Sequence, residues 1–307
     1  MTEEKSNNKK YVAGFIIAFI GALLFSTKAV IVKHAFMNTT VDAVTLLALR
    51  MIFALPFYVA IGLFASKTTT SASFTKKQWV YVIGLGLAGY YLSSLFDFIG
   101  LQYISAGLER LILFLYPTFV VLMNAAVFKQ KIKTVQKLAL LLTYVGIGIA
   151  YFGELKINTS NPNFFLGSFF IFLCAITFAA YIAGSGKLIP QTGATRFTAY
   201  AMIASSIGVL VHYFVAGNTI HHFSTPLLWY GLILGVVATV IPTFFVSNAI
   251  KKIGANNVAI ISSIGPVSTI LQAHYVLGEH IFSGQIIGTI LVIIGVILIG
   301  WKGEVSS

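Results

Sequence analysis

The sequence predicts an all-α polytopic membrane protein, with ten transmembrane helices arranged as two inverted five-helix repeats. Three observations predict this class. The 307-residue chain is 58% hydrophobic and 9% charged, with a mean hydropathy of +0.91, whereas a soluble domain carries about 25% charged residues. Its apolar residues form long continuous runs rather than the alternation of a membrane β-barrel. Its second half resembles its first at a constant spacing. This composition excludes a cytosolic enzyme, a disordered chain and a disulfide scaffold. The net charge of +12 comes without a basic domain, so no nucleic-acid partner is expected. Cys174 is the single cysteine, which rules out an intramolecular disulfide and a cysteine metal cluster.

A bilayer core needs about 20 apolar residues per helix. Ten runs meet that requirement, at 12–34, 43–65, 79–101, 106–128, 135–153, 164–186, 196–216, 227–250, 256–277 and 282–301. Turn-forming and polar residues separate them, such as Thr68 to Ser71 after the second run and Asn158 to Asn163 after the fifth. The expected organisation is a cytoplasmic N-terminal tail (1–11), a first repeat (12–153), a second repeat (164–301) and a cytoplasmic C-terminal tail (302–307). The first run lacks a small-residue cleavage site and reads as a retained anchor. Trp79, Trp229 and Trp301 fall at span ends, where indole rings favour the membrane interface.

Orientation follows from the basic residues. With the N-terminus in the cytoplasm, Lys33 and Lys156 lie outside, and Lys28, Arg50 and Arg110 lie within spans. The other fifteen of the twenty Lys and Arg lie inside. This is a strong positive-inside bias, and it favours an even number of spans.

Residues 96–152 align without a gap onto 245–301 at an offset of 149. Pro117 falls on Pro266, Ile104 on Ile253, Ala106 on Ala255, Gln136 on Gln285 and Gly146 on Gly295. Five spans per repeat is an odd number, so the copies must lie in opposite orientations. The charges invert accordingly: the lysines of Lys129 to Lys133 have no counterpart in Gly278 to Phe282. Inverted repeats allow two bundles to rock about one midplane site, the architecture of a secondary transporter.

Leu49-Arg50, Leu115-Tyr116-Pro117, and Gly278-Glu279 with Gln285 and Gly295, set in this duplicated frame, resemble the EamA-type drug/metabolite transporter superfamily over essentially the whole chain. The resemblance implies an inner-membrane carrier of a bacterium, often exporting amino acids or other small metabolites, with a cavity between the halves. One departure stands out. The family usually has an acidic residue ending span four, and this chain has Lys129-Gln130 there.

Ionisable groups within spans are costly and normally face a bundle interior or a wet cavity. Five are present here: Lys28, Arg50, Asp97, Glu109 and Arg110, all expected in the outer half of the membrane. The acids are expected to pair with two of the bases, leaving one cation to receive an anionic substrate group. A closed ion-pair network fastening the outer face is the competing reading, and Arg50 in particular suits a structural role. Asp97 and Glu109 are also the candidates for proton coupling. His274 is a further titratable group, more simply read as a helix-packing histidine. Glu109 with Tyr116, and Tyr90 with Asp97, are each seven apart, which suggests two cavity-lining stripes. Asn124, Tyr181 and Ser263 complete the candidate substrate-binding set. Pro117 and Pro266 each remove a backbone hydrogen bond and are candidate hinges. Gly284/Gly288 and Gly231/Gly235 have the spacing of close helix packing.

The expected function is a secondary transporter, an exporter or exchanger, moving small polar metabolites such as amino acids by alternating access. Its partners are then the solute, membrane lipids and candidate protons. The rival readings are a lipid flippase and a channel. No nucleophile with a base, metal-ligand spacing or Walker-type loop is present in the sequence, so no enzyme activity, metal or cofactor is expected.

Overall fold

A computed structural model describes residues 2–68, 74–129, 132, 134–157, 161–218, 223–253, 258, 261–262 and 264–301. The C-terminal tail at 302–307 lies outside these residues. Among them, every regular element is helical. The first repeat comprises α1 (Thr2–Asn38), α2 (Ala43–Thr68), α3 (Lys76–Gly86), a π-helical turn (Leu87–Leu92), α4 (Ser93–Leu101), α5 (Ala106–Leu113), α6 (Tyr116–Phe128) and α7 (Thr134–Ile157). The second comprises α8 (Phe164–Thr192), α9 (Ala194–Val215), α10 (Thr225–Leu232), a second π-helical turn (Ile233–Val240), α11 (Ile241–Ile253), α12 (Gly265–Leu277) and α13 (Ser283–Trp301).

Among the described residues, eight helical stretches are long and apolar enough to cross a bilayer, and Ser283–Leu298 is a shorter apolar helix. The expected ninth span, 256–277, is described only in part. Helix α1 begins at Thr2, so the polar tail continues the first span as helix. Large apolar side chains point outward, among them Phe64, Val80 and Val127, as they do on a surface solvated by lipid.

The duplication recurs in backbone detail. Helix α6 at Tyr116–Phe128 and α12 at Gly265–Leu277 coincide at the 149-residue offset, each with proline in its first turn. Proline fits there because that turn's amide has no intrahelical partner. Just before each helix the ladder tightens to a three-residue bond: Leu115 N–H donates to the Ile112 carbonyl at 3.0 Å, and Ile264 N–H to the Ile261 carbonyl at 3.3 Å. Both helices end on a left-handed residue, Lys129 (φ 55) and Gly278 (φ 70). Glycine takes this cap without strain, whereas a side chain there costs about 1–2 kcal/mol. The two prolines thus begin helical segments, at Tyr116 and Gly265, rather than merely bending longer ones.

Packing follows the same exchange. Helix α1 packs on α11 and α12, and its counterpart α8 packs on α4 and α6. The counterparts α2 and α9 pack on each other, as do α7 and α13. Glycine makes the second contact possible. A Cβ on Gly288 would lie 2.4 Å from the Gly146 carbonyl oxygen, and one on Gly146 would lie 2.7 Å from that of Gly288. Gly235 likewise faces the Arg50 carbonyl at 2.8 Å, the close approach its spacing predicts. Gly288→Val should therefore lower the thermal midpoint in detergent by several degrees, a cost of about 1–3 kcal/mol for overpacking. Gly148→Val, on the partner helix α7 but with nothing within 4 Å of its added carbon, should leave the midpoint unchanged.

Candidate functional site

Three elements bring the intramembrane charges together. Helix α1 supplies Lys28, α4 supplies Asp97, and α5 supplies Glu109 and Arg110. The Lys28 ammonium lies 2.7 Å from Asp97 Oδ2. Arg110 Nε lies 3.8 Å from Glu109 Oε2. The Asp97 and Glu109 carboxyl groups belong to the same buried cluster, and apart from these two ion pairs their oxygens have no hydrogen-bond partner among the described residues. Both acids are fully buried, while the Lys28 side chain keeps 15% exposure.

Arg110 joins the halves. Its Nε donates to Thr269 Oγ1 at 3.1 Å on α12, and its Nη2 donates to the Phe25 and Ser26 carbonyls at 3.2 and 3.4 Å on α1. Thr269 Oγ1 in turn donates to the Ser26 carbonyl at 3.2 Å. Those carbonyls are accepting bonds beyond the helical ladder, which suits a cation that a bilayer interior would otherwise strand. Arg50 stands apart from the two close carboxylate contacts. Its Nε donates to Thr239 Oγ1 at 2.8 Å, its Nη1 donates to Ser94 Oγ at 3.0 Å, and its guanidinium lies 5.7 Å from the Phe98 ring centroid. It bridges α2, α4 and the second π turn, as the structural reading expects.

The remaining candidates divide. Tyr90 and Tyr181 meet edge-on with centroids 4.8 Å apart. Tyr116 packs edge-on against Phe178 at 5.0 Å. The two expected stripes do not run along continuous α-helix. A π turn holds Tyr90, and its wider winding rotates Asp97 out of a simple seven-residue register. The break at Phe114–Leu115 separates Glu109 from Tyr116. Asn124 lies fourteen residues beyond Arg110, where its carbonyl accepts the Lys129 N–H. Ser263 lies outside the described residues. His274 Nδ1 pairs with the Glu279 carbonyl at 2.8 Å, a local structural contact.

A second polar cluster escaped the sequence reading. A cavity of about 370 Å³ at one end of the bundle is lined by Lys33, Ser105, Glu154, Asn161, Glu279 and Gln285, among others. Glu279 accepts the Ala106 and Gly107 amides at 2.8 and 3.3 Å, so the second repeat caps the start of α5 in the first. Lys33 lies five residues beyond Lys28 on α1, about 7.5 Å farther along the helix axis. The available signal was α7 itself: it continues to Ile157, so Glu154 belongs to a helix rather than to a loop after residue 153. A second cavity, of about 220 Å³, lies between α2, α9 and α11 beside Tyr58, Thr198, Thr243 and Asn248.

Duplicated helical segments around buried ion pairs define a multi-pass membrane protein of the transporter class. The EamA-like transporter family matches residues 12–152 and again 165–301, and the chain belongs to that family. It is 34% identical over 293 residues to the uncharacterized transporter YcbK of Bacillus subtilis, covering 93% of this chain and 92% of that one. An uncharacterized transporter of Archaeoglobus fulgidus is 24% identical, over 81% and 87% of the two chains. A solved crystal structure at 18% identity superposes with a TM-score of 0.64 over 94% of this chain and 96% of its own, a likeness of fold.

Proposed function

We propose that this protein is a secondary transporter, an exporter or exchanger, that moves small polar metabolites such as amino acids across a bacterial inner membrane by alternating access. In this reading ten spans form two inverted five-helix repeats, both termini are cytoplasmic, and the Glu279 end faces outward. The observation that carries it is the Lys28–Asp97 pair, a partly exposed lysine on α1 whose ammonium lies 2.7 Å from a buried carboxylate. Rearranging that pair lets Lys28 receive a solute carboxylate, while Pro117 and Pro266 mark where spans four and nine can flex. Protons are the proposed coupling ion, because Asp97 and Glu109 are fully buried carboxyl groups beside the Lys28 and Arg110 cations.

Reconstituted protein should show saturable counterflow of a solute first found by thermal-shift screening of amino acids, nucleobases and organic acids, since a ligand that binds the folded state stabilises it. An imposed pH gradient should drive uptake, and Asp97→Asn or Glu109→Gln should uncouple it. Non-saturating flux without counterflow would establish a channel instead, and lipid scrambling a flippase.

A further inference from the structure

We infer that the cavity at the Glu279 end is a binding site for a cationic amine, separate from the Lys28–Asp97 pair. The argument rests on which hydrogen-bonding groups of the lining are already used. Lys33 donates to the Leu101 and Ile104 carbonyls at 2.9 and 2.8 Å, so two of its three N–H groups are taken. Asn161 Nδ2 donates to the Tyr103 carbonyl at 2.7 Å. Glu279 uses both oxygens on α5 amides. Two acceptors are left poorly served. Glu154 is only 3% exposed, and its amide contact is a long one, 3.4 Å from Ser105 N. Gln285 is 4% exposed, and its Oε1 is buried without a hydrogen-bond partner.

A buried acceptor without a donor costs about 1–3 kcal/mol. One orphaned acceptor and one weakly served carboxylate, on residues that line the same cavity, favour a ligand rich in N–H groups. The composition agrees: two carboxyl groups, Glu154 and Glu279, share the lining with a single lysine, Lys33. An anion would face two carboxylates there. No group of three or more His, Cys, Asp or Glu side chains able to hold a metal ion occurs among the described residues. A volume of about 370 Å³ admits an alkylammonium the size of a lysine side chain with several waters.

The probe is 1,5-diaminopentane, with pentane-1,5-diol as its neutral isostere and glutarate as an anion of similar length. Binding is read by calorimetry on the purified full chain in detergent. The diamine should bind at millimolar or lower concentration, and the diol and glutarate should not. Glu154→Gln should weaken it at least tenfold. Gln285→Glu, which adds charge without changing shape, should tighten it and keeps the test open if Glu154→Gln folds poorly. Lys28→Arg, which changes the other cluster conservatively, should leave the affinity unchanged. Binding of the diol or glutarate as tightly as the diamine overturns the inference, as does no diamine binding to the native chain. Binding is measured without transport, so its failure leaves the carrier reading standing.

Discussion

Replacing Lys28 by methionine is expected to abolish solute transport and to destabilise the protein by about 3–5 kcal/mol, the usual cost of leaving one partner of a buried pair uncompensated. The stranded group is Asp97, which is fully buried and has the Lys28 ammonium 2.7 Å away. Apart from Lys28 and Arg110, no hydrogen-bond donor among the described residues reaches the Asp97 or Glu109 carboxyls. Stability alone would not separate a substrate role from a fastening role, because either would fail on unfolding. The double variant Lys28→Met with Asp97→Asn does separate them. It removes both charges, so much of the lost thermal midpoint should return. Transport should stay absent, because no cation remains to meet the solute. Full transport by the double variant would make the pair a fastener and nothing more.

Much of this site was legible from composition. Five ionisable residues in apolar runs had to find each other, and Lys28, Asp97, Glu109 and Arg110 do so. The repeat was legible for the same reason that it recurs in backbone geometry. Matched prolines at 117 and 266 force matched helix starts, and an offset that holds through Gly146 fixes the register. Local winding was not legible. Hydrophobic periodicity assumes 3.6 residues per turn, and nothing in Leu87 to Leu92 announces a π turn. Tyr90 was therefore aligned with Asp97 when its ring meets Tyr181. Contacts between repeats were equally hidden. Glu279 reads as a loop acid after a glycine cap, and only the fold shows that it reaches Ala106, 173 positions earlier.

That contact carries the second large effect. Glu279→Ala should lower stability by about 1–3 kcal/mol, because two α5 amides lose a charged acceptor at a helix start, where the dipole favours one. It should also loosen the outward end of the transporter. The clip joins span nine to span four across the repeats, and the Ala273 carbonyl and the His274 ring hold the Glu279 backbone in place. In the rocking reading it closes the outer mouth. Gln102→Cys, on the cavity lining, reports this directly with a membrane-impermeant maleimide, since native Cys174 is buried. Labelling should quicken about tenfold when Glu279→Ala is added, while Glu279→Asp should fall between. Outside acid should act in the same direction. Burial pushes the Glu279 carboxyl above its ordinary range, outweighing the pull of the two amides and Lys33 the other way. It therefore takes up a proton while freely solvated glutamates are still ionised, and the protonated acid no longer offers both oxygens to the amides. Labelling of the native clip should thus quicken as the outside pH falls toward that range. Glu154 and His280 line the same cavity, so the acid effect is assigned to Glu279 only if Glu279→Ala removes it. Equal labelling with and without Glu279, at any pH, would show that the outer mouth is closed by other contacts.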